Sequence, residues 1–511
     1  MKKKIKDFRL TISHFFKNNK TEFWVLITIL IVGAFFRLYR IGDYMTFLGD
    51  EGRDVIIVRR IFTELHPPLI GPGTSVGGIY LGPLYYYLMA IPLLIAGFSP
   101  IGPAVMVALL SVATIAFIWW VGRSWFDKKA GMIAAAFYAI SPTVIIFSHS
   151  SWNPNIMPFF ALLSIYSIRK IWAEKKYNWL IVLGISYAFV LQSHYLGLLL
   201  FPTLFLFWVL SLRNSKSEIS NFIKKSLLGL GFFLILMSPL FIFDLRHDFM
   251  NTKLIYKFLV ERENVIAFDP VQTLSGLPRI FNLVNGSLLA GKQSLVGVLT
   301  SWLILVGTLT MIVKNKFKLK KEYWIIIVWF GFGLLGLSFY KQSIYDHYFG
   351  FLYPVPFLFM GIIISGFLKG KIIFKLIGVL LLACLVFFNL KANPLRSEPN
   401  KLLARSINVS KVIEENSSNQ PFNLAVIADT NYEDGYKYFL LKDNYPVVDI
   451  DSQNPETITD QLFVVCELYP NSKCDPTHSA KAQVANFGWS KIENVWEVNG
   501  ATVYKLVHVV N

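Results

Sequence analysis

Residues 84–98 read LYYYLMAIPLLIAGF, and the fold turns on whether this stretch crosses a membrane. As a helix it rises about 22 Å, short of a hydrocarbon core of about 30 Å, and Pro92 interrupts it. Eleven other stretches have the apolar length of a span: 23–41, 103–122, 130–147, 156–172, 179–193, 196–212, 226–243, 293–313, 323–340, 348–368 and 372–390. With the N-terminus cytoplasmic, segments 1–22, 123–129, 169–178, 213–225, 314–322 and 369–375 face inside with 26 Lys and Arg. The outer loops 42–102, 148–155, 244–292 and 341–347 carry 10 over far more residues, as the positive-inside rule requires. Were 84–98 to cross, 19 of those 26 inner charges would move outside. The stretch is therefore expected to lie at the outer surface or dip into it. That makes 42–102 a long first outer loop, and loops of that length are uncommon without a task.

The composition of the 511-residue chain agrees. It is 54% apolar and only 16% charged, against about 25% charged in soluble domains, with a mean hydropathy of +0.50. Forty-four Phe, 23 Tyr and 13 Trp suit lipid-facing helices with aromatic ends. A disordered chain, a disulfide scaffold and an ordinary cytosolic enzyme are excluded. The net charge of +17 does not point to nucleic acid. Residues 1–390 hold 38 Lys and Arg against 17 Asp and Glu, and residues 391–511 hold 11 against 15, so the excess sits where loop charge orients helices. The basic start Lys2-Lys3-Lys4 precedes a first span without a small-residue cleavage site, which reads as a retained helix.

The expected architecture is thus a polytopic α-helical membrane protein of about eleven spans, residues 1–390, followed by a small extracytoplasmic α/β domain, residues 391–511. That tail opens with an amphipathic helix at 401–415, with Leu402, Leu403, Ile407 and Val412 at helical spacing. Strand-like runs follow at 424–428, 446–450, 462–466 and 502–510, with a helix at 432–441. Cys466 and Cys474 lie eight apart and can pair in an oxidising compartment or stay as two thiols; Cys384 is packing in the last span. Three cysteines leave no thiolate zinc site or iron–sulfur cluster.

The span interiors are nearly free of charge, unlike those of an ion-coupled transporter; Arg37 and Arg40 lie at the outer end of the first. Polar residues gather instead in outer segments. These include Gly49-Asp50-Glu51-Gly52-Arg53-Asp54, His66, His149 with Asn153 and Asn155, His194, Asp244-Leu245-Arg246-His247-Asp248, and Tyr345-Asp346-His347-Tyr348. Adjacent in sequence, Asp50 and Glu51 point apart and cannot flank a sugar as a glycosidase pair does. One of them can serve as a single general base. The competing structural reading has Asp50 capping a helix that starts at Glu51, with Arg53 paired to it. His149 and His194 read as hydrogen-bonded interface residues or ligands, without metal-ligand spacing. Arg246 and His247 can bind a phosphate, and Tyr85 belongs to an interfacial belt or a sugar platform.

Several motifs together resemble the lipid-carrier-dependent glycosyltransferases of the GT-C fold, the group of the protein O-mannosyltransferases and aminoarabinose transferases. The first outer loop opens with the Asp-Glu pair. Gly82-Pro83-Leu84-Tyr85-Tyr86-Tyr87-Leu88 is similar to that family's Pro-Pro-Leu-Tyr-Tyr-Trp-Leu pattern. Gly122-Arg123-Ser124-Trp125-Phe126 with Lys128-Lys129-Ala130-Gly131 resembles its inner turn, and Ser141-Pro142 with the polar turn to Asn155 fits as well. The similarity covers residues 20–200 well and 200–390 mainly by hydropathy.

The resemblance implies a transferase in the cytoplasmic membrane that takes a sugar from a polyprenyl-phosphate donor at the outer face. Asp50 stands at the family's catalytic base, and the acceptor is a lipid, a polysaccharide or a protein. Two departures matter. Leu81 stands where many members place a phosphate-holding Lys, and Asn153 and Asn155 stand where some carry an Asp. Other cations must then hold the phosphate: Arg53, Arg246 and His247 are the candidates, with Tyr85, His149, Asn153, His194 and His347 as further substrate contacts. No cofactor is expected, and a divalent metal stays open. The alternative function is a transporter or flippase of lipid-linked saccharide.

Overall fold

The structure, a computed structural model, describes residues 19–74, 78–261, 270–340, 343–467 and 474–509. Most of the expected inner N-terminal segment, residues 1–18, lies outside them. Among the described residues, eight helices are long and apolar enough to cross a membrane, and two bent pairs, Lys128–Ile140 with Pro142–Ser148 and Asp346–Leu352 with Pro354–Lys369, each turn by 61°. Counting each bent pair as one span gives ten, and the eleventh expected stretch is the shorter apolar helix Trp179–Ser193. The protein is a multi-pass membrane protein.

The first bend shows how buried polar groups are managed. Pro142 has no N–H to donate back along the helix, so the carbonyls before it need other donors. Arg37 supplies them: its guanidinium donates to the Tyr138 and Ala139 carbonyls at 3.1 and 2.9 Å, and to Ser111 Oγ at 2.8 Å. The sequence placed Arg37 at a span end; here it is fully buried and ties three spans together.

The basic loops gather at one end of the bundle. Arg123 pairs with Glu22 at 2.5 Å, Lys369 with Asp127 at 2.8 Å, and Arg169 with Glu322 at 2.7 Å. At the opposite end, the 42–102 loop contains the helices Gly49–Thr63 and Leu84–Ile95. The second is the 84–98 stretch. It buries Tyr85, Tyr86, Met89 and Leu93 while Ile91, Leu94 and Ile95 stay exposed, and twelve residues span only about 18 Å.

Two helices of the expected loop 244–292 were not anticipated, Met250–Glu261 and Pro270–Leu289. The second packs among the spans. Its start lies near Ser338 and its middle near Phe330, 5.5 Å from Phe281; the turn after it faces Phe388. Ser338 and Phe388 both stand at the C-terminal ends of their helices, away from the basic loops, so both ends of this helix lie near the same end of the bundle. Gln272, Arg279, Asn282 and Asn285 dilute its hydropathy.

The C-terminal domain is a five-stranded sheet in the order β2-β1-β3-β5-β4: β1 Phe422–Ile427, β2 Val447–Val448, β3 Gln461–Cys466, β4 Ser490–Val498 and β5 Ala501–His508. Strands β2, β1 and β3 are parallel; β5 runs antiparallel to β3 and β4. Helices Leu402–Asn416 and Asp434–Lys442 pack Val409, Ile413, Tyr436 and Leu440 on one face, and Ala482–Phe487 covers the other. Cys466 and Cys474 form a disulfide. Strand β4 escaped the sequence pattern because it is an exposed edge with little apolar alternation. The domain is docked: Phe47, Tyr438 and Phe439 share an apolar cluster with Tyr85 and Met89. Tyr438 also donates to the Phe98 carbonyl, and Tyr44 to that of Ser397 at 2.9 Å.

Candidate active site

The first turn of Gly49–Thr63 is built around its acids. The helix begins at Gly49 with Leu48 as N-cap, and the Leu48 N–H is accepted by Glu51 Oε2 at 3.0 Å. Glu51, not Asp50, therefore closes the helix start. The expected cap at Asp50 is off by this register, because a carboxylate three residues into the helix reaches back to the N-cap amide. Burial pushes the Glu51 carboxyl up to about 7, against the pull of that N–H.

With the cap occupied, Asp50 is available for other work. Its side chain is 45% exposed, while Asp54, one turn on, is fully buried. Arg53 bridges them. Its Nη1 donates to Asp50 Oδ1 at 2.9 Å, and Nε and Nη2 donate to Asp54 Oδ1 at 3.0 and 2.8 Å. Tyr86 adds a hydroxyl to the same Asp54 oxygen at 2.9 Å. Burial opposes the charge on Arg53, but Asp54, Tyr86, Tyr432 and Asp50 outweigh it and hold the guanidinium above its ordinary value.

A second wall comes from the C-terminal domain. Tyr432 donates its hydroxyl to Asp50 Oδ1 at 2.7 Å. Asn431 Oδ1 accepts the Gly49 N–H at 2.8 Å. The glycines of Gly49-Asp50-Glu51-Gly52 follow from this docking: a Cβ at Gly49 would strike the Tyr432 ring, and one at Gly52 would strike the backbone of Asp434. Between the walls lies a cavity of about 220 Å³, lined by Asp50, Glu51, Ser150, Trp152, Asn155 and Tyr432 among others. Phe147 and Asn155 continue from it into a narrow cleft with His347 and Tyr353.

The other expected site residues divide. His347 lies behind the cavity, its ring 4.5 Å from Trp152 and 5.7 Å from His194. His149 is buried with Nε2 2.8 Å from the Phe36 carbonyl. Asn153 donates to the Ser193 carbonyl at 2.6 Å, and Tyr85 is hydrogen-bonded to Ser151 at 2.7 Å. These three hold the cavity walls together. Arg246 and His247 are exposed at the end of Ile219–Arg246. They connect to the 78–84 segment through Asn251, which accepts the Tyr80 N–H at 2.7 Å, and through Phe243, 5.9 Å from the Tyr80 ring. Among the described residues, no three of His, Cys, Asp and Glu converge as a metal cage.

Residues 81–243 match the family model described as dolichyl-phosphate-mannose-protein mannosyltransferase. In shape the chain is similar to ArnT from Cupriavidus metallidurans bound to undecaprenyl phosphate. The TM-score is 0.60 at 11% identity, over 95% of this chain and 98% of that one. It is also similar to the oligosaccharyltransferase AglB from Archaeoglobus fulgidus in complex with an inhibitory peptide and a dolichol-phosphate. There the TM-score is 0.55 at 12% identity, over 89% of this chain and 70% of that one. The fold is GT-C. No curated protein matches the sequence. In this fold the expected pair, Asp50 and Glu51, lines the cavity together with Tyr432 of the C-terminal domain. Sequence reasoning missed Tyr432, Asn431 and Trp152; the first two lie some 380 positions from Asp50 in a stretch with no motif of its own.

Proposed function

We propose that the protein is a glycosyltransferase that moves a sugar from a polyprenyl-phosphate donor to an acceptor hydroxyl, with Asp50 as general base. The observation that carries this reading is a half-exposed carboxylate lining a cavity at one end of a GT-C bundle. The loop-charge asymmetry supports placing that end outside the cytoplasmic membrane, with the C-terminal domain extracytoplasmic. The family match and the lipid phosphates bound in the two similar structures support the donor class.

The reaction is one displacement. The acceptor oxygen bonds to the anomeric carbon as the bond to the lipid phosphate breaks, and the hydroxyl proton passes to Asp50. The leaving phosphate needs no acid partner, so a single carboxylate suffices and the anomeric carbon inverts. Attraction for the donor phosphate falls to Arg246 and His247, because Arg53 already spends its donors on Asp50 and Asp54. The acids beside Asp50 are likewise engaged, Asp54 by Arg53 and Tyr86 and Glu51 by the Leu48 N–H. That donor set suits an arginine rather than a divalent cation.

The test compares glycolipids and surface polymers of cells carrying the wild type or Asp50→Asn. A sugar missing from one acceptor in the Asp50→Asn cells identifies substrate and product together. An unchanged glycan profile, with the protein present in the membrane, defeats the reading.

A further inference from the structure

We propose that Tyr432 of the C-terminal domain is a positioning residue for Asp50, holding one carboxylate oxygen so that the other meets the acceptor hydroxyl. This rests on the reading of Asp50 as the base. A lone aspartate on the first turn of a helix rotates about its side-chain bonds, and a base must lie within hydrogen-bond reach of the proton it takes. Here two donors converge on one atom: Tyr432 and Arg53 both reach Oδ1, at 2.7 and 2.9 Å. Among the described residues no donor reaches Oδ2.

Tyr432 is itself fixed. Asn431 Oδ1 accepts the Tyr432 N–H at 2.9 Å as well as the Gly49 N–H at 2.8 Å. Asn431 Nδ2 donates to Glu467 at 2.5 Å, and Glu467 pairs with Arg405 at 2.8 Å. The Tyr432 ring lies against Gly49, where any side chain would displace it. A chain of contacts thus runs from the sheet through Asn431 to the base. Burial holds the Tyr432 phenol above its ordinary value, and Asp50 adds to this against Arg53, so the hydroxyl stays a donor. Tyr432 and Thr430 also line the cavity. The soluble domain therefore completes the site.

The test is Tyr432→Phe in the full-length protein, assayed with the lipid-linked sugar that the cellular comparison identifies. The variant keeps the ring against Gly49 and removes the hydroxyl, with its donated bond to Asp50 and the long 3.4 Å contact that it accepts from Arg53 Nη1. A hydrogen bond to a charged group corresponds to about a 10- to 100-fold change. The expected result is that loss in kcat, with donor KM within twofold and the unfolding midpoint in detergent unchanged. A wild-type kcat for Tyr432→Phe beside an inactive Asp50→Asn overturns this proposal and leaves the base in place. Near wild-type transfer by Asp50→Asn removes the base and this proposal with it. A fall in the unfolding midpoint that tracks the loss of kcat assigns Tyr432 to docking alone and also overturns it.

Discussion

Two turns at the same end of the bundle carry nearly the same residues and use them differently. Gly49-Asp50-Glu51-Gly52-Arg53-Asp54 and Asp244-Leu245-Arg246-His247-Asp248 both set acids beside cations at a helix end. In the second, Asp244 is buried and both its oxygens are consumed. Oδ1 accepts the Asn251 N–H at 2.7 Å, and Oδ2 accepts the Thr252 N–H at 3.1 Å and the Thr252 hydroxyl. This carboxylate starts the next helix, Met250–Glu261, and its neighbouring cations point to solvent. In the first turn, Glu51 takes over the capping duty, and Asp50 keeps an oxygen at the cavity. An acid becomes available for chemistry when another group satisfies the backbone.

The largest expected effect separates the two aspartates. Asp50→Asn should lower the transfer rate about 10²- to 10⁴-fold, the contribution of a general base, with the unfolding midpoint in detergent unchanged. Asp244→Ala should do the reverse. It strips two backbone N–H groups of their acceptor, costing about 1–2 kcal/mol as other lost caps do, and lowers the midpoint while sparing the chemical step of the folded fraction. Equal behaviour of the two variants in either assay would break the comparison.

The next effect is smaller and concerns the exposed cations. Arg246→Ala should weaken binding of the polyprenyl-phosphate donor about tenfold, the low end for a hydrogen bond to a charged group, with kcat at saturating donor retained. Unchanged donor affinity would leave the whole Asp244–Asp248 turn as structure.

What the sequence reveals follows from how local each feature is. The helices at the eleven expected stretches, and the shortness of 84–98, are read from runs of apolar residues, a local quantity. Asp50 stands out because four charged residues, Asp50, Glu51, Arg53 and Asp54, lie together in an otherwise apolar chain. The helix Pro270–Leu289 is hidden because its polar face meets other helices: Asn285 donates to Ser301 at 3.2 Å. Its composition therefore falls below that of a lipid-facing span. The capping role of Glu51 is missed by one register, since Asp50 and Glu51 offer the same carboxylate to a reader without the backbone. Tyr432 is invisible for a different reason. Its importance comes from the docking of the sheet domain, a long-range contact that leaves only the two glycines, Gly49 and Gly52, as its trace.

The smallest expected effect tests that docking through pH. Two carboxyls at the seam are held above their ordinary values. Burial raises Glu51 to about 7, and burial, against the pull of Lys437 and Arg53 and with Glu433 and Asp449 adding to it, raises Asp434 to about 6. A carboxyl whose value is raised by folding binds its proton more tightly in the folded than in the unfolded chain. Its protonation stabilises the fold fully below the unfolded value, near 4, and that contribution is lost as pH rises through the folded value. The unfolding midpoint of the wild type should therefore fall by a few degrees between about pH 5 and 8 on account of these two groups. Glu51→Gln keeps an oxygen for the Leu48 N–H but carries no charge to bury. It should match or exceed the wild type at pH 8, lose most of that margin at pH 5, and flatten the upper part of the slope. Tyr86 and Arg53 stay paired with Asp54 in this variant, so transfer should persist, unlike in Asp50→Asn. A Glu51→Gln protein less stable than wild type at pH 8 would show that the carboxylate is needed in its charged form, and that the two adjacent acids do not divide capping from chemistry.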